Sequence, residues 1–188
     1  MRALIGCEFS GIVREALGSL GWDATSCDLL PSELPTSANT HHIQGNILDL
    51  LCPWTWDLLI AFPPCTDLAS SGARWFKEKK VQQEGAIEFV KKIASAPVPR
   101  IAIENPIGVL STKWRKPDQI IQPWQFGHGE TKSTCLWLQG LPKLTPTDVV
   151  DGRVGRVWRE PPAPDRWRKR SRTYPGIAQA MAQQWGNA

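Results

Sequence analysis

Two residues with opposite proton chemistry stand at the ends of apolar runs. Residues 60–66 read I-A-F-P-P-C-T and residues 101–106 read I-A-I-E-N-P, which puts Cys65 directly after Pro64 and Glu104 two residues before Pro106. Proline cannot join a central ladder, so each run must stop there and the next side chains project beyond the strand end. A thiolate needs a positive or proton-donating environment to serve as a nucleophile, and a half-buried glutamate can keep its proton near neutral pH and act as an acid. If the two strands are neighbours, thiol and acid face one crevice, and the pairing suits nucleophilic catalysis assisted by a general acid.

The other cysteines fit a quieter role. Cys7, Cys27, Cys52 and Cys135 read as small buried packing residues. Five widely spaced cysteines with no C-x-x-C pair argue against a disulfide framework or a zinc knuckle, so reduced thiols are expected. His41 and His42 lie in a polar stretch and His128 between two glycines, with no second ligand at useful spacing, and no metal site is expected.

The elements that would position the pair alternate in type. M-R-A-L-I-G-C is a strand, and the next residues place Ile12, Val13, Ala16, Leu17 and Leu20 on one helical face before Gly21 ends it. D-A-T-S-C-D (23–28), I-Q-G-N-I (43–47) and W-D-L-L-I-A-F (56–62) are further strands, the last apolar throughout, as a strand buried on both faces should be. A helix over about 77–94, strands at R-I-A-I-E-N and T-C-L-W-L, and a closing helix over about 176–185 complete the pattern. This implies an α/β fold with a doubly wound, mostly parallel sheet, in which ligands bind beyond the carboxyl ends of the strands.

Those ends carry further candidates. The first strand runs into C-E-F-S-G, a small-residue turn that lets a ligand approach backbone at a helix start. The second ends at Asp28, placed to accept the two hydroxyls of a ribose, or simply to make a turn. The third ends at Gly45-Asn46, an amide able to read an adenine edge or to close an Asx turn.

With 188 residues, 41% of them hydrophobic, the chain is long enough for one core, and residues 1–188 read as a single domain. It shows neither an apolar run of about 20 residues nor a leader-like start, so a cytoplasmic protein without membrane contact is expected. The net charge of +4 is concentrated between Asp151 and Arg172, where eight basic residues meet three acidic ones and leave −1 for the rest. Arg153, Arg156, Arg159, Arg166, Arg168, Lys169 and Arg170, interleaved with Trp158 and Trp167, suit a polyanion, because Arg grips phosphate in a fork and indole stacks on bases. A solvated, proline-punctuated loop would carry the same charges. Of the ten tryptophans, Trp22, Trp56 and Trp137 read as core, while Trp75 lies just beyond the cysteine loop.

Taken in order, F-S-G (9–11), Asp28, G-N-I (45–47), P-P-C (63–65), E-N-P (104–106), F-G-H-G-E-T-K-S-T (126–134) and S-R-T-Y-P-G-I-A-Q-A-M-A (171–182) resemble the DNA cytosine-5 methyltransferases. The resemblance implies a Rossmann-like fold and S-adenosylmethionine as cofactor. It implies a DNA substrate, with Cys65 attacking carbon 6 of cytosine, Glu104 at N3, Asn105 positioning Glu104 and Lys132 stabilising the adduct. Phe9, Ser10, Gly11 and Pro63 would line the cofactor, Asp28 its ribose, Asn46 and Ile47 its adenine, with Ser171 or Thr173 closing the pocket. The sequence departs from the family at Asn46, at Pro106, and at 130–134, where one lysine stands for the usual arginines. It also carries only residues 142–172, the basic stretch, where the family has a sizeable target-recognition domain. A compact, phage-type, monomeric enzyme is the expectation. The same chemistry on RNA or a free cytidine nucleotide, or a silent binding relative, are the alternatives.

Overall fold

The computed structural model describes residues 1–71, 79–155 and 163–186. Seven strands form one sheet: β1 (Arg2–Gly6), β2 (Asp23–Asp28), β3 (Thr40–Gln44), β4 (Leu58–Ala61), β5 (Ile101–Pro106), β6 (Gln119–Ile121) and β7 (Thr134–Gln139). Their order is β3-β2-β1-β4-β5-β7-β6, and only β7 runs antiparallel to its neighbours. The helices are α1 (Ile12–Gly18), α2 (Lys80–Ala94), α3 (Leu110–Lys113), α4 (Arg166–Ser171) and α5 (Pro175–Trp185).

Alternation along the strands explains the two layers. Ala3, Ile5, Leu58, Ile60 and Ala102 pack with Leu17 of α1 and Met181 and Trp185 of α5. Leu4, Leu59, Ala61, Ile101 and Ile103 turn the other way onto Ile87, Val90 and Ile93 of α2. Both sheet faces are thus covered, which is why the central strands read as unbroken apolar runs. Because β6 and β7 form a hairpin beside β5, the end of β6 and the start of β7 lie at the same sheet edge as the carboxyl ends of β1, β4 and β5.

Several expectations change. The third strand begins at Thr40 and ends at Gln44, not over 43–47, because the Asn46 side chain accepts from Leu48 N and starts a 3-10 turn over Ile47–Leu50. His41 and His42 therefore belong to an edge strand, and His42 bonds Ser26 Oγ at 2.9 Å and Leu30 O at 2.9 Å. Leu20 lies past the end of α1 and is exposed. Cys52 is exposed rather than packed, whereas Cys27 and Cys135 are buried and Cys7 half-buried. Within the basic stretch 142–172, 148–154 pair with the 126–131 loop, and Arg166–Ser171 form α4. Trp22, Trp56 and Trp137 are buried as expected. Trp75, Trp158, Arg156 and Arg159 lie outside the described residues.

Candidate active site

β4 ends at Ala61 and Pro63 is buried, so the chain turns out of the sheet and leaves Cys65 exposed. The Cys65 carbonyl accepts from Leu68 N and Ala69 N, which closes a tight turn behind the thiol. That turn is laced to the segment after β5. Ser70 N donates to Ile107 O and Val109 N to Leu68 O, both at 2.9 Å, and the Asn105 amide donates to Pro63 O at 2.8 Å. A side chain at Gly108 would collide with the Leu68 carbonyl, so glycine is what permits the lacing. Asn105, expected to position Glu104, thus anchors the cysteine loop to β5. Gly108 was missed because its role depends on a loop 40 residues earlier.

Glu104 lies in the carboxyl-terminal half of β5 and lines a cavity of about 20 Å³ with Lys132, Thr134, Ser171, Thr173 and Tyr174. That is room for about one water molecule. Burial pushes the Glu104 carboxyl above its ordinary range, and the Lys132 ammonium opposes the shift. The Cys65 thiol is also pushed up, first by desolvation and then by the Glu104 charge, against the lowering effects of Lys132 and Arg170. Cys65 itself is exposed and is not among the residues that line the cavity with Glu104. Lys132 donates through Nζ to Arg170 O at 3.0 Å and through its backbone N to Gln122 Oε1 at 3.0 Å. Gln122 also caps the turn at Pro123–Gln125, so it fixes the lysine loop from below.

The β1 tip has its own architecture. Glu8 is buried, and one carboxylate oxygen accepts from Val13 N at 2.7 Å and from Ser10 Oγ at 3.2 Å, capping α1. Its second oxygen, Oε2, is sealed from solvent and has no hydrogen-bond partner among the described residues. Gly11 takes φ 75° at the α1 N-cap, a left-handed conformation that glycine adopts without strain. Asp28 accepts from Leu30 N through one oxygen. Ile47 is buried against Gly6 in the α2-side core. Glu8 was not singled out from sequence, although an acid a few residues before a helix start was the available signal.

Burial raises the Glu8 pKa from 4.5 to about 7, overcoming the hydrogen bonds from Val13, Ser10 and Arg14 and the Arg14 charge that oppose it. A pKa raised on folding gives stability that is complete below the unfolded value and lost as pH rises through the folded one. Between about pH 4 and about pH 8 the loss should reach about 3 kcal/mol. Glu8→Gln, which keeps an acceptor for Val13, should flatten this slope, as urea midpoints measured across that range would show.

α4 lies over the β1 tip. Trp167 meets Phe9 with ring centroids 5.9 Å apart, and Arg168 sits 5.5 Å from the Phe9 ring. Glu33 receives Arg172 in a two-pronged contact at 2.8 Å and Arg168 at 3.4 Å, while Lys169 pairs with Asp165 at 3.0 Å. Much of the basic stripe is therefore paired within the chain. Arg153 lies apart, stacked 3.9 Å above the Trp124 ring at the end of β6. Arg166 is half-buried in α4. No metal-binding cluster occurs among the described residues, and none of their helices is long and apolar enough to cross a membrane.

No family model matches the sequence, and no curated protein matches it. Solved structures do. A protein described as a candidate DNA modification methyltransferase, encoded within an Escherichia coli prophage, aligns with a TM-score of 0.54 at 12% identity over 86% of this chain and 55% of that one. The DNMT2 protein of Spodoptera frugiperda aligns at 0.41, with 16% identity over 82% and 54%, and an Escherichia coli rRNA methylase at 0.40, with 14% over 73% and 56%. The chain spans about half the length of each. The fold assignment rests on the first of these together with the strand order. The chain has the Rossmann-like fold of the S-adenosylmethionine-dependent methyltransferases.

Proposed function

We propose that the chain transfers a methyl group from S-adenosylmethionine to carbon 5 of cytosine in DNA. The observation that carries this reading is the lacing of the Cys65 turn to the end of β5, which ties a displayed thiol to the strand that carries Glu104, near enough for the Glu104 and Lys132 charges to act on the sulfur. Carbon 5 of cytosine is a poor nucleophile. Addition of the Cys65 thiolate to carbon 6 forms the S–C6 bond and moves the C5=C6 electron pair towards carbon 5, while Glu104 gives its proton to N3. The cofactor supplies an electrophilic methyl group, which no side chain of the protein can. Loss of the carbon 5 proton to water afterwards restores the double bond, breaks the S–C6 bond to release Cys65 as thiolate and returns the N3 proton to Glu104. Lys132 holds the negative charge that builds on the base.

The residues of the β1 and β2 tips fit the cofactor. The unpartnered Glu8 oxygen and the Ser10–Gly11 turn lie beside Phe9, and Asp28 has one oxygen left for ribose hydroxyls. Asn46 and Ile47 at the β3 end would border the adenine, Pro63 the side towards Cys65, and Ser171 or Thr173 the side towards α5. Arg153, Arg166 and Arg170 would meet the nucleic acid from the rim.

The ion pairs that occupy Arg168, Lys169 and Arg172 favour a second reading, the same chemistry on a free cytidine nucleotide. Labelled S-adenosylmethionine offered with duplex DNA, single-stranded DNA, RNA and cytidine nucleotides separates the two. Label recovered as 5-methylcytosine in DNA is the expected result. Label confined to RNA or to free nucleotide would keep the chemistry and replace the substrate, and label on the exocyclic amine would remove the role given to Cys65.

A further inference from the structure

The catalytic crevice holds two groups whose ordinary preferences oppose the chemistry asked of them. Addition to carbon 6 needs Cys65 without its proton and Glu104 with its own; burial favours the proton on Glu104, but burial and the Glu104 charge also hold the proton on Cys65. A cation at the sulfur is the physical remedy, and every pKa unit by which it lowers the thiol raises the reactive fraction about tenfold. The stretch 130–134 offers one such cation, Lys132.

α4 offers another. Its last turn enters the crevice: the Arg170 carbonyl accepts from Lys132 Nζ at 3.0 Å, and Ser171, the next residue, lines the cavity with Glu104. Arg168, Lys169 and Arg172 point to acids, Glu33 and Asp165. Arg170 is half-buried, and its Nε is sealed from solvent with no acceptor among the described residues. The sealed atom is Nε alone, and such a donor costs free energy that a neighbouring negative charge offsets.

We propose that Arg170 is the second cation of the reaction centre, placed by α4 beside Lys132 to hold negative charge at the Cys65 sulfur. The assignment rests on the reading of Cys65 as nucleophile, and it moves Arg170 from the polyanion-binding stripe to the crevice. The charged groups that act on the thiol are Glu104 from β5, Lys132 from the loop before β7 and Arg170 from α4. On the cysteine's own loop, Asp67 is paired with Lys79 at 3.2 Å.

The test reads the thiol rather than methyl transfer, so it stands apart from the fate of the proposed function. In a Cys52→Ser background, which removes the other exposed thiol, Cys65 is alkylated with iodoacetamide across a pH series and quantified by peptide mass spectrometry. Arg170→Gln, which keeps length and loses charge, should move the profile to higher pH and slow alkylation near neutrality by roughly tenfold. Arg170→Lys should restore most of the rate. A profile for Arg170→Gln that superimposes on the parent overturns the proposal. Equal displacement by Gln and Lys also overturns it, because packing and not charge would then be the cause. If the profiles shift as expected while the parent transfers no methyl group to any acceptor, Arg170 keeps its role and the proposed reaction falls.

Discussion

Cys65→Ala should abolish methyl transfer, by roughly 10⁴-fold or more, while leaving cofactor binding and the thermal midpoint nearly unchanged. The reasoning joins a chemical and a structural fact. Without the S–C6 bond, carbon 5 has no source of electron density, and the remaining groups only bind and orient. Cys65 is exposed and its backbone makes the turn, so removing the thiol leaves the hydrogen bonds to its carbonyl in place. A surface change of that kind is worth about 0.5 kcal/mol at most. Initial rates with labelled cofactor, calorimetric cofactor titration and a melt of each protein measure the three quantities. A DNA carrying 5-fluorocytosine adds a positive signature. It has no proton to lose at carbon 5, so the S–C6 bond should persist and the protein should remain attached after denaturation. Transfer retained by Cys65→Ala, or no such adduct with an active parent, would assign the chemistry elsewhere.

The largest effect on folding is expected at Arg14. Its side chain is fully buried in α1, where it donates to Ser26 Oγ, Ser32 Oγ, Leu34 O and Pro35 O at 2.8–3.1 Å, and to Glu15 Oε1 at 2.9 Å. It ties the loop between β2 and β3 to the helix that follows β1. Arg14→Ala leaves five acceptors without this donor and opens a cavity, at a cost of about 4 kcal/mol, a large share of what a domain has. Arg14→Met fills the space but supplies no donors and should recover less than half. Urea denaturation of the two variants gives both numbers. Because the same loop carries Glu33, the anchor of α4, Arg14→Ala should also release Trp167 from Phe9. A loss under about 1 kcal/mol would mean that water replaces the guanidinium in this loop.

Cys65 and Glu104 were legible in the sequence because proline is local punctuation: it ends a strand wherever the chain goes afterwards. The β1, β2 and β4 positions were legible for a similar reason, since strands buried on both faces carry their signal in their own residues. What escaped depends on partners far along the chain. Arg14 serves a loop some 20 residues away, Gln122 holds a lysine ten residues on, and Gly108 is required by the carbonyl of Leu68. β6 escaped because three residues between prolines carry no period. α4 escaped because a short helix without a buried residue has no apolar face to reveal it. Its basic residues looked like a free cationic stripe, whereas Arg168 pairs with Glu33 and Lys169 with Asp165.

The reach of α4 has one more consequence. Its six residues contact Phe9 at one end and Lys132 at the other, and exposed ion pairs of about 1 kcal/mol or less are a large part of what holds it. If so little holds it, docked and released forms would lie close in free energy, and on the proposed reading cofactor and base would each bias that balance. Thermodynamic reciprocity then requires that whatever factor a cofactor imposes on nucleic-acid affinity through α4, the nucleic acid imposes on cofactor affinity in return. Added salt, by loosening Glu33 from its arginines, should shrink that factor towards one.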